Sequence, residues 1–237
     1  MTGLEYISDN FTVPYTLPDT GAVVPREELL NRLDGILNPD TNSPTLNLSI
    51  VTLCGLPGTG KSTLARHYAE LNKDKLSFVF WIRSESWETV MASYLEIANT
   101  LVEHYSNSAE REQVESDLGL IGVQDMLKAK TLIELDTPRT HSVVRAIRNW
   151  LLRPGNRSWL LVFDNVESSF DIFEFIPLTL AGKIIFTSRD SNCCSWGTKL
   201  QVDAMTEQES IDLLASIMGK AAVEEPVQSK RETTPLA

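Results

Sequence analysis

The chain has 237 residues, 42% of them hydrophobic, enough to bury a core as one domain with a small appendage. Its formal net charge of −11 repels nucleic-acid backbones and anionic lipid, and its cations come only in pairs such as Lys73 with Lys75, so neither nucleic acid nor membrane is expected as a direct ligand. Cys54, Cys193 and Cys194 lack zinc-site spacing, and no apolar run approaches the ~18 residues of a membrane span, so a reduced, cytoplasmic setting is expected.

Residues 1–21 are polar and broken by Pro14, Pro18 and Gly21, which predicts an extended N-terminal arm. Ala22–Leu37 has helical spacing (Leu29, Leu30, Leu33, Ile36, Leu37), with Pro25 suited to a first turn. A turn-rich loop then leads to an apolar strand, Leu48 to Leu53. Next comes Gly55-Leu56-Pro57-Gly58-Thr59-Gly60-Lys61-Ser62-Thr63, and then a helical run through Leu64, Ala65, Tyr68 and Leu71. Gly55, Gly60, Lys61 and Ser62 fit G-x-x-x-x-G-K-[ST] in the strand–loop–helix setting that this phosphate-binding loop needs.

The spacing follows from the chemistry. Wrapping a polyphosphate in backbone N–H groups takes residues without Cβ that accept positive φ, which Gly58 and Gly60 supply. The helix starting near Lys61 aims its unpaired N–H groups and positive dipole end at the phosphates. Lys61 is expected to reach the β- and γ-phosphates, the Ser62 hydroxyl to ligate Mg²⁺, and Thr63 to touch the α-phosphate.

Ser77–Ile82 reads as a strand covered on both faces, and Glu88–Tyr105 as a helix. Ser106–Ser116 is charged and nearly devoid of apolar residues, so it reads as a solvated loop or frayed helix; residues 117–135 regain helical hydrophobes. His141–Leu152 is a helix ended by Pro154-Gly155-Asn156. Three short segments follow: Ser158–Asn165, an apolar strand ending in an acid; Gly182–Asp190, an apolar strand ending in an arginine; and Lys199–Val202, an edge candidate. Thr206 and Glu209 form a capping box for a last helix closed by Gly219, and residues 220–237 read as a disordered tail.

Strand–helix alternation of this kind gives a parallel sheet flanked by helices, with ligands bound beyond the carboxyl ends of the strands. The phosphate loop, Asp164 and Arg189 each follow such an end. Asp164 is therefore the expected partner of the Mg²⁺ on Ser62, acting through a water. Asn165 stands where a carboxylate could take a proton from the attacking water; an amide can orient water but cannot take its proton, which predicts slow hydrolysis. Arg189 is placed to sense the γ-phosphate.

Gly55–Thr63, Phe80-Trp81-Ile82, Trp159–Asn165 and Ile184–Arg189, in this order, resemble the NB-ARC nucleotide-binding domain of the STAND NTPases, the switch module of NOD-like immune receptors and apoptotic-protease activators, in its fungal form. The likeness covers roughly residues 20–218. It implies a three-layer α/β P-loop NTPase with parallel strand order 5-1-4-3-2, the Arg189 strand lying between the phosphate-loop strand and the Asp164 strand. It implies a nucleotide-binding domain over 22–204, the first helix of a helical subdomain over 205–219, and bound ADP or ATP with Mg²⁺. Val23-Val24-Pro25-Arg26-Glu27 matches the segment that packs on adenine, with Val24 on the base and Arg26 beside it; Pro25 replaces the usual glycine.

The family's lid proline and M-H-D histidine have no counterpart in residues 1–237, so a nucleotide-binding core alone is expected. In a longer protein the family likeness implies homo-oligomers and attached sensor and effector domains. The leading expectation is a nucleotide-dependent signalling switch with weak ATPase activity at most. The alternatives are a small-molecule phosphotransferase of the same fold, for which no arginine-rich lid pattern is found, and a scaffold that binds no nucleotide, against which Lys61, Ser62 and Asp164 argue.

Overall fold

The structure, a computed structural model, describes residues 11–12, 24–39, 48–106, 109–128, 137–153, 156, 158–167, 171–177, 181–190 and 197–218. Six parallel strands form one sheet: β1 (Phe11–Thr12), β2 (Ser49–Cys54), β3 (Phe78–Arg83), β4 (Trp159–Asp164), β5 (Lys183–Ser188) and β6 (Thr198–Gln201). Their spatial order is β1-β3-β4-β5-β2-β6. Leaving out two-residue β1 and counting from the phosphate-loop strand β2, this is the expected 5-1-4-3-2, with β5 between β2 and β4. The arm expected at the N-terminus contributes one pairing, Phe11 with Phe78 and Thr12 with Val79, and the rest of 1–21 lies outside the described residues.

Period-two alternation splits the strand side chains between two cores. Phe78, Phe80, Ile82, Trp159, Leu161, Phe163, Ile184 and Phe186 face α3 (Trp87–Ser106), α4 (Arg111–Leu118), α5 (Val123–Lys128) and α6 (Thr137–Leu151). Val51, Leu53, Val79, Trp81, Leu160, Val162, Ile185 and Leu200 face α1 (Glu27–Leu37) and α2 (Lys61–Leu71). Both faces are covered, which is why β3 and β4 read as unbroken apolar runs. On the first face the Trp150 ring packs edge-on against Phe78, centroids 4.6 Å apart, and the Tyr94 hydroxyl donates to Phe175 O at 2.5 Å. On the second, Leu33, Val51, Leu53 and Ala65 have no solvent exposure. Burying each of the leucine and valine side chains is worth about 1.5–3 kcal/mol relative to leaving it exposed.

Two local readings change. Helix α1 begins at Glu27 rather than Ala22, so Pro25 stands outside it. Arg26 caps the helix with non-helical backbone (φ −95°, ψ 73°), its side chain held elsewhere. Within the charged stretch, Arg111–Leu118 is a defined helix: Val114 and Leu118 are buried against the core, Arg111 pairs with Glu115 one turn on at 3.0 Å, and Gly119 closes it in the left-handed region. Two apolar residues four apart suffice to dock a short helix, a signal the surrounding charge conceals.

Parallel pairing brings the strand ends that matter to one edge. Cys54 lies opposite both Ser188 and Gln201, and Arg83 opposite Asp164. The last helix, α7 (Glu207–Met218), follows β6 from that edge with no fully buried residue. None of the described helices is long and apolar enough to cross a membrane.

Candidate functional site

The phosphate loop leaves β2 through a close approach. Val202 N donates to Cys54 O at 2.7 Å, and a Cβ on Gly55 would stand 2.2 Å from Val202 O. Only glycine lets the loop turn here beside the end of β6. Gly58 and Gly60 have φ of +81° and +88°, and Gly60 is the cap residue from which α2 starts. The loop's free N–H groups thus surround the positive end of an eleven-residue helix.

Lys61 is largely buried, and its ammonium donates to Gly55 O at 2.9 Å and Leu56 O at 2.8 Å. Burial chiefly lowers its pKa, the nearby Arg189 guanidinium lowers it further, and the Asp164 carboxylate opposes both. The next residue reaches across the sheet edge: Ser62 Oγ donates to Asp164 Oδ1 at 2.6 Å, spanning 102 positions of sequence. Thr187 Oγ1 donates to the same carboxylate oxygen and accepts the Asn165 N–H at 2.8 Å. Asp164 is therefore fixed from helix α2 and strand β5, with its carboxylate facing the loop.

A chamber of about 370 Å³ is lined by Pro57, Gly58, Gly60, Lys61, Ser62, Thr63, Asp164, Asn165 and Arg189, all sites expected from sequence, together with Glu85 and Thr187. Its oxygen donors, one hydroxyl and one carboxylate in contact, suit a hard cation that keeps most of its waters. Among the described residues no group of three or more His, Cys, Asp or Glu side chains converges, so the donor set fits magnesium held jointly with a phosphate better than a metal held by protein alone.

A second cavity, about 260 Å³, adjoins the first at Gly58, Gly60 and Thr63. Val24 and Arg26 line it, with Leu64 and His67 from α2, Met205 from the linker, and Leu213 and Ile217 from α7. Its walls are mostly apolar, and it shares Gly58 and Gly60 of the phosphate loop with the first cavity. Thr59, expected among the phosphate-binding residues, is buried and turns inward, its hydroxyl donating to Leu56 O at 3.0 Å.

Arg26 does more than line this cavity. Its Nη1 donates to Thr59 O at 3.1 Å and Asp203 O at 3.0 Å, its Nη2 to Ala204 O at 3.4 Å, and its Nε to Glu209 at 3.2 Å. One guanidinium joins the phosphate loop, the linker after β6 and the first turn of α7. Glu209 is held in turn by the Thr206 N–H at 2.8 Å, while its own N–H donates to Thr206 Oγ1 at 3.2 Å, completing the expected capping box. The Thr206 N–H, aided by Arg26, keeps the Glu209 carboxyl below its ordinary pKa despite some desolvation.

Sequence reasoning missed Glu85 and Thr187 in the chamber, and Leu64, His67, Met205, Leu213 and Ile217 in the second cavity. Glu85 carries the signal that marked Asp164 and Arg189, a polar residue just past the carboxyl end of an apolar strand. His67 follows Thr63 by one helical turn. The α7 residues announce themselves only once the helix is seen folded over the loop.

The description "AAA ATPase domain" fits residues 22–177 as a family match. Among solved structures the chain is similar to Cdc6p from Pyrobaculum aerophilum, with 16% identity and a TM-score of 0.50 over 88% of this chain and 51% of that one. It is also similar to the Aeropyrum pernix ORC2 protein, solved as ADPNP–ADP complexes, with 16% identity and a TM-score of 0.41 over 86% and 53%. At such identity the likeness to Cdc6p is one of fold, and the chain spans about half the length of that structure. A comparison with curated proteins finds no match.

Proposed function

The chain belongs to the AAA ATPase domain family, and from that premise we propose that it is a magnesium-dependent adenine-nucleotide switch that hydrolyses ATP slowly. The backbone N–H groups of residues 58–63 cradle the phosphates, and Lys61 supplies a point charge to the β- and γ-positions. Thr63 borders the α-phosphate, and Val24 with the apolar walls of the second cavity takes the base. Ser62 and Asp164 would hold the magnesium ion, which when bound neutralises phosphate charge. Arg189 reads the γ-phosphate. Asn165 orients water without accepting its proton, which keeps turnover low.

The observation that carries this reading is the 2.6 Å contact between Ser62 and Asp164 in the chamber lined by Lys61 and Arg189. Residues far apart in sequence meet there in the constellation that magnesium–nucleotide binding requires. The signalling role rests on the NB-ARC likeness of the four sequence blocks. It is supported by the linkage of the phosphate loop to α7 through Arg26, a route by which nucleotide state could reach whatever follows the sheet.

Thermal unfolding with and without Mg-ADP tests the binding. Ligand at about a hundred times its dissociation constant adds about 2.7 kcal/mol of stability. The parent chain is expected to show that rise and Lys61→Ala to lose it while unfolding normally without nucleotide. A parent chain indifferent to Mg-ADP and Mg-ATP sinks the reading. Turnover near or above about one per second would refute the slow-hydrolysis part.

A further inference from the structure

Two residues past the end of β3 stands a carboxylate that the reading above leaves without a role. Ser84 N donates to Asp164 O at 2.8 Å, extending the pairing of β3 with β4 one step beyond Arg83 opposite Asp164. Glu85 therefore leaves the sheet where β4 ends and the chain turns at Asn165. Asn165 is the one non-glycine among the described residues with positive φ, +65°. Asparagine tolerates that region better than most residues. Its backbone is tied to Thr187 Oγ1, and its side-chain amide donates to Glu85 Oε1 at 3.3 Å.

Glu85 and Asp164 are the two carboxylates lining the phosphate chamber. They differ in what is left for them to do. Asp164 is buried and accepts hydroxyl hydrogen bonds from Ser62 and Thr187 on one oxygen. Glu85 is exposed to water, and its side-chain bond within the chamber is to a neutral amide.

Resting on the nucleotide reading above, we infer that Glu85 is the water-polarising carboxylate of ATP hydrolysis, supplied from the strand next to the one bearing Asp164, and that Asn165 positions it. The residue after Asp164 is an amide, and the carboxylate it contacts stands one strand across. In the step, the water oxygen forms a bond to the γ-phosphorus. The bond from that phosphorus to the β–γ bridging oxygen breaks, and its electron pair leaves with ADP. The proton lost by the water passes to Glu85 and then to solvent, so ATP and water give ADP, inorganic phosphate and a proton, with no other reactant. A turning amide that only steers the carboxylate is consistent with slow turnover.

The test uses the 237-residue chain and its Glu85→Gln, Glu85→Asp, Glu85→Ala and Asn165→Ala variants. Mg-ATP binding is followed by calorimetry and hydrolysis by release of labelled phosphate in single turnovers. Positioned general bases contribute about 10²–10⁴-fold, so Glu85→Gln is expected to hydrolyse about a hundredfold more slowly while binding Mg-ATP at least as tightly as the parent. Glu85→Asp recovers part of the rate, and formate restores part of it to Glu85→Ala. Asn165→Ala, a positioning change, lowers the rate less with binding unchanged. The inference is overturned if Glu85→Gln stays within threefold of the parent rate, if its loss merely tracks lost binding, or if the parent binds Mg-ATP and hydrolyses it no faster than Lys61→Ala. Failure of the parent to bind nucleotide at all is a separate result, and it removes the nucleotide reading itself.

Discussion

Arg189, one residue past β5, and Lys61, the first residue of α2, are two cations near enough that the guanidinium lowers the pKa of the ammonium. Holding both at one edge is unfavourable until a polyanion lies between them. Lys61 is anchored by its own loop and serves any bound phosphate. Arg189 is exposed, one residue beyond β5, and lines the chamber but not the second cavity. It should therefore distinguish nucleotides by their terminal phosphate. A hydrogen bond to a charged group is worth about 1.5–3 kcal/mol. Arg189→Ala is expected to weaken Mg-ATP binding about tenfold or more and to leave Mg-ADP within about twofold, measured by calorimetry. Equal loss for both nucleotides would place Arg189 on the shared phosphates instead.

At the scale of elements, the loop, linker and α7 are joined by Arg26, a side chain with 10% exposure that satisfies three carbonyl groups and one carboxylate. Arg26→Ala is expected to raise amide exchange in Glu207–Met218 severalfold while leaving β2 to β5 protected, since α7 buries too little apolar surface to stay docked alone. Acid should act in the same direction. Because the Glu209 pKa is depressed in the folded chain, its contribution is complete above the ordinary value of 4.5 and is lost as pH falls through the lowered one. Protection of α7 should thus decline on acidification below the ordinary carboxylate value in the parent and not in Glu209→Gln, which has nothing there to titrate. The capping box was legible because Thr206 and Glu209 sit three apart. Arg26 was legible as a site residue, but not as a clasp, because its partners lie up to 183 positions away and two of its contacts are to backbone of the linker. The strands and the phosphate loop were readable because two-sided burial and a tight turn leave local marks. Glu85 bears the same strand-end mark as Asp164 and Arg189, but its meaning depends on which strand lies beside β3.

The whole molecule assembles its second cavity from three separate stretches: Val24 and Arg26 before α1, the phosphate loop with α2, and Met205 to Ile217 after the sheet. The first two are fixed by a core with fully buried Leu33, Val51 and Ala65. The third is not, and Ile211, Leu214, Ile217 and Met218 on α7 remain 45–63% exposed. A nucleotide base in this cavity would touch all three at once, adding to α7 the apolar contact that the protein alone does not provide. Affinity should then depend on α7 although α7 adds little to the stability of the free chain. Ile217→Asp is the discriminating change. Made on a residue 60% exposed, it should shift the unliganded unfolding free energy by no more than about 0.5 kcal/mol. Placing a carboxylate against the base should weaken Mg-ADP about tenfold, which at saturating ligand removes about 1.4 kcal/mol of the nucleotide-induced stabilisation. Denaturant unfolding at several Mg-ADP concentrations measures both quantities in one series. If the full stabilisation survives in Ile217→Asp, the base does not lie between α2 and α7, and nucleotide state has no direct hold on α7.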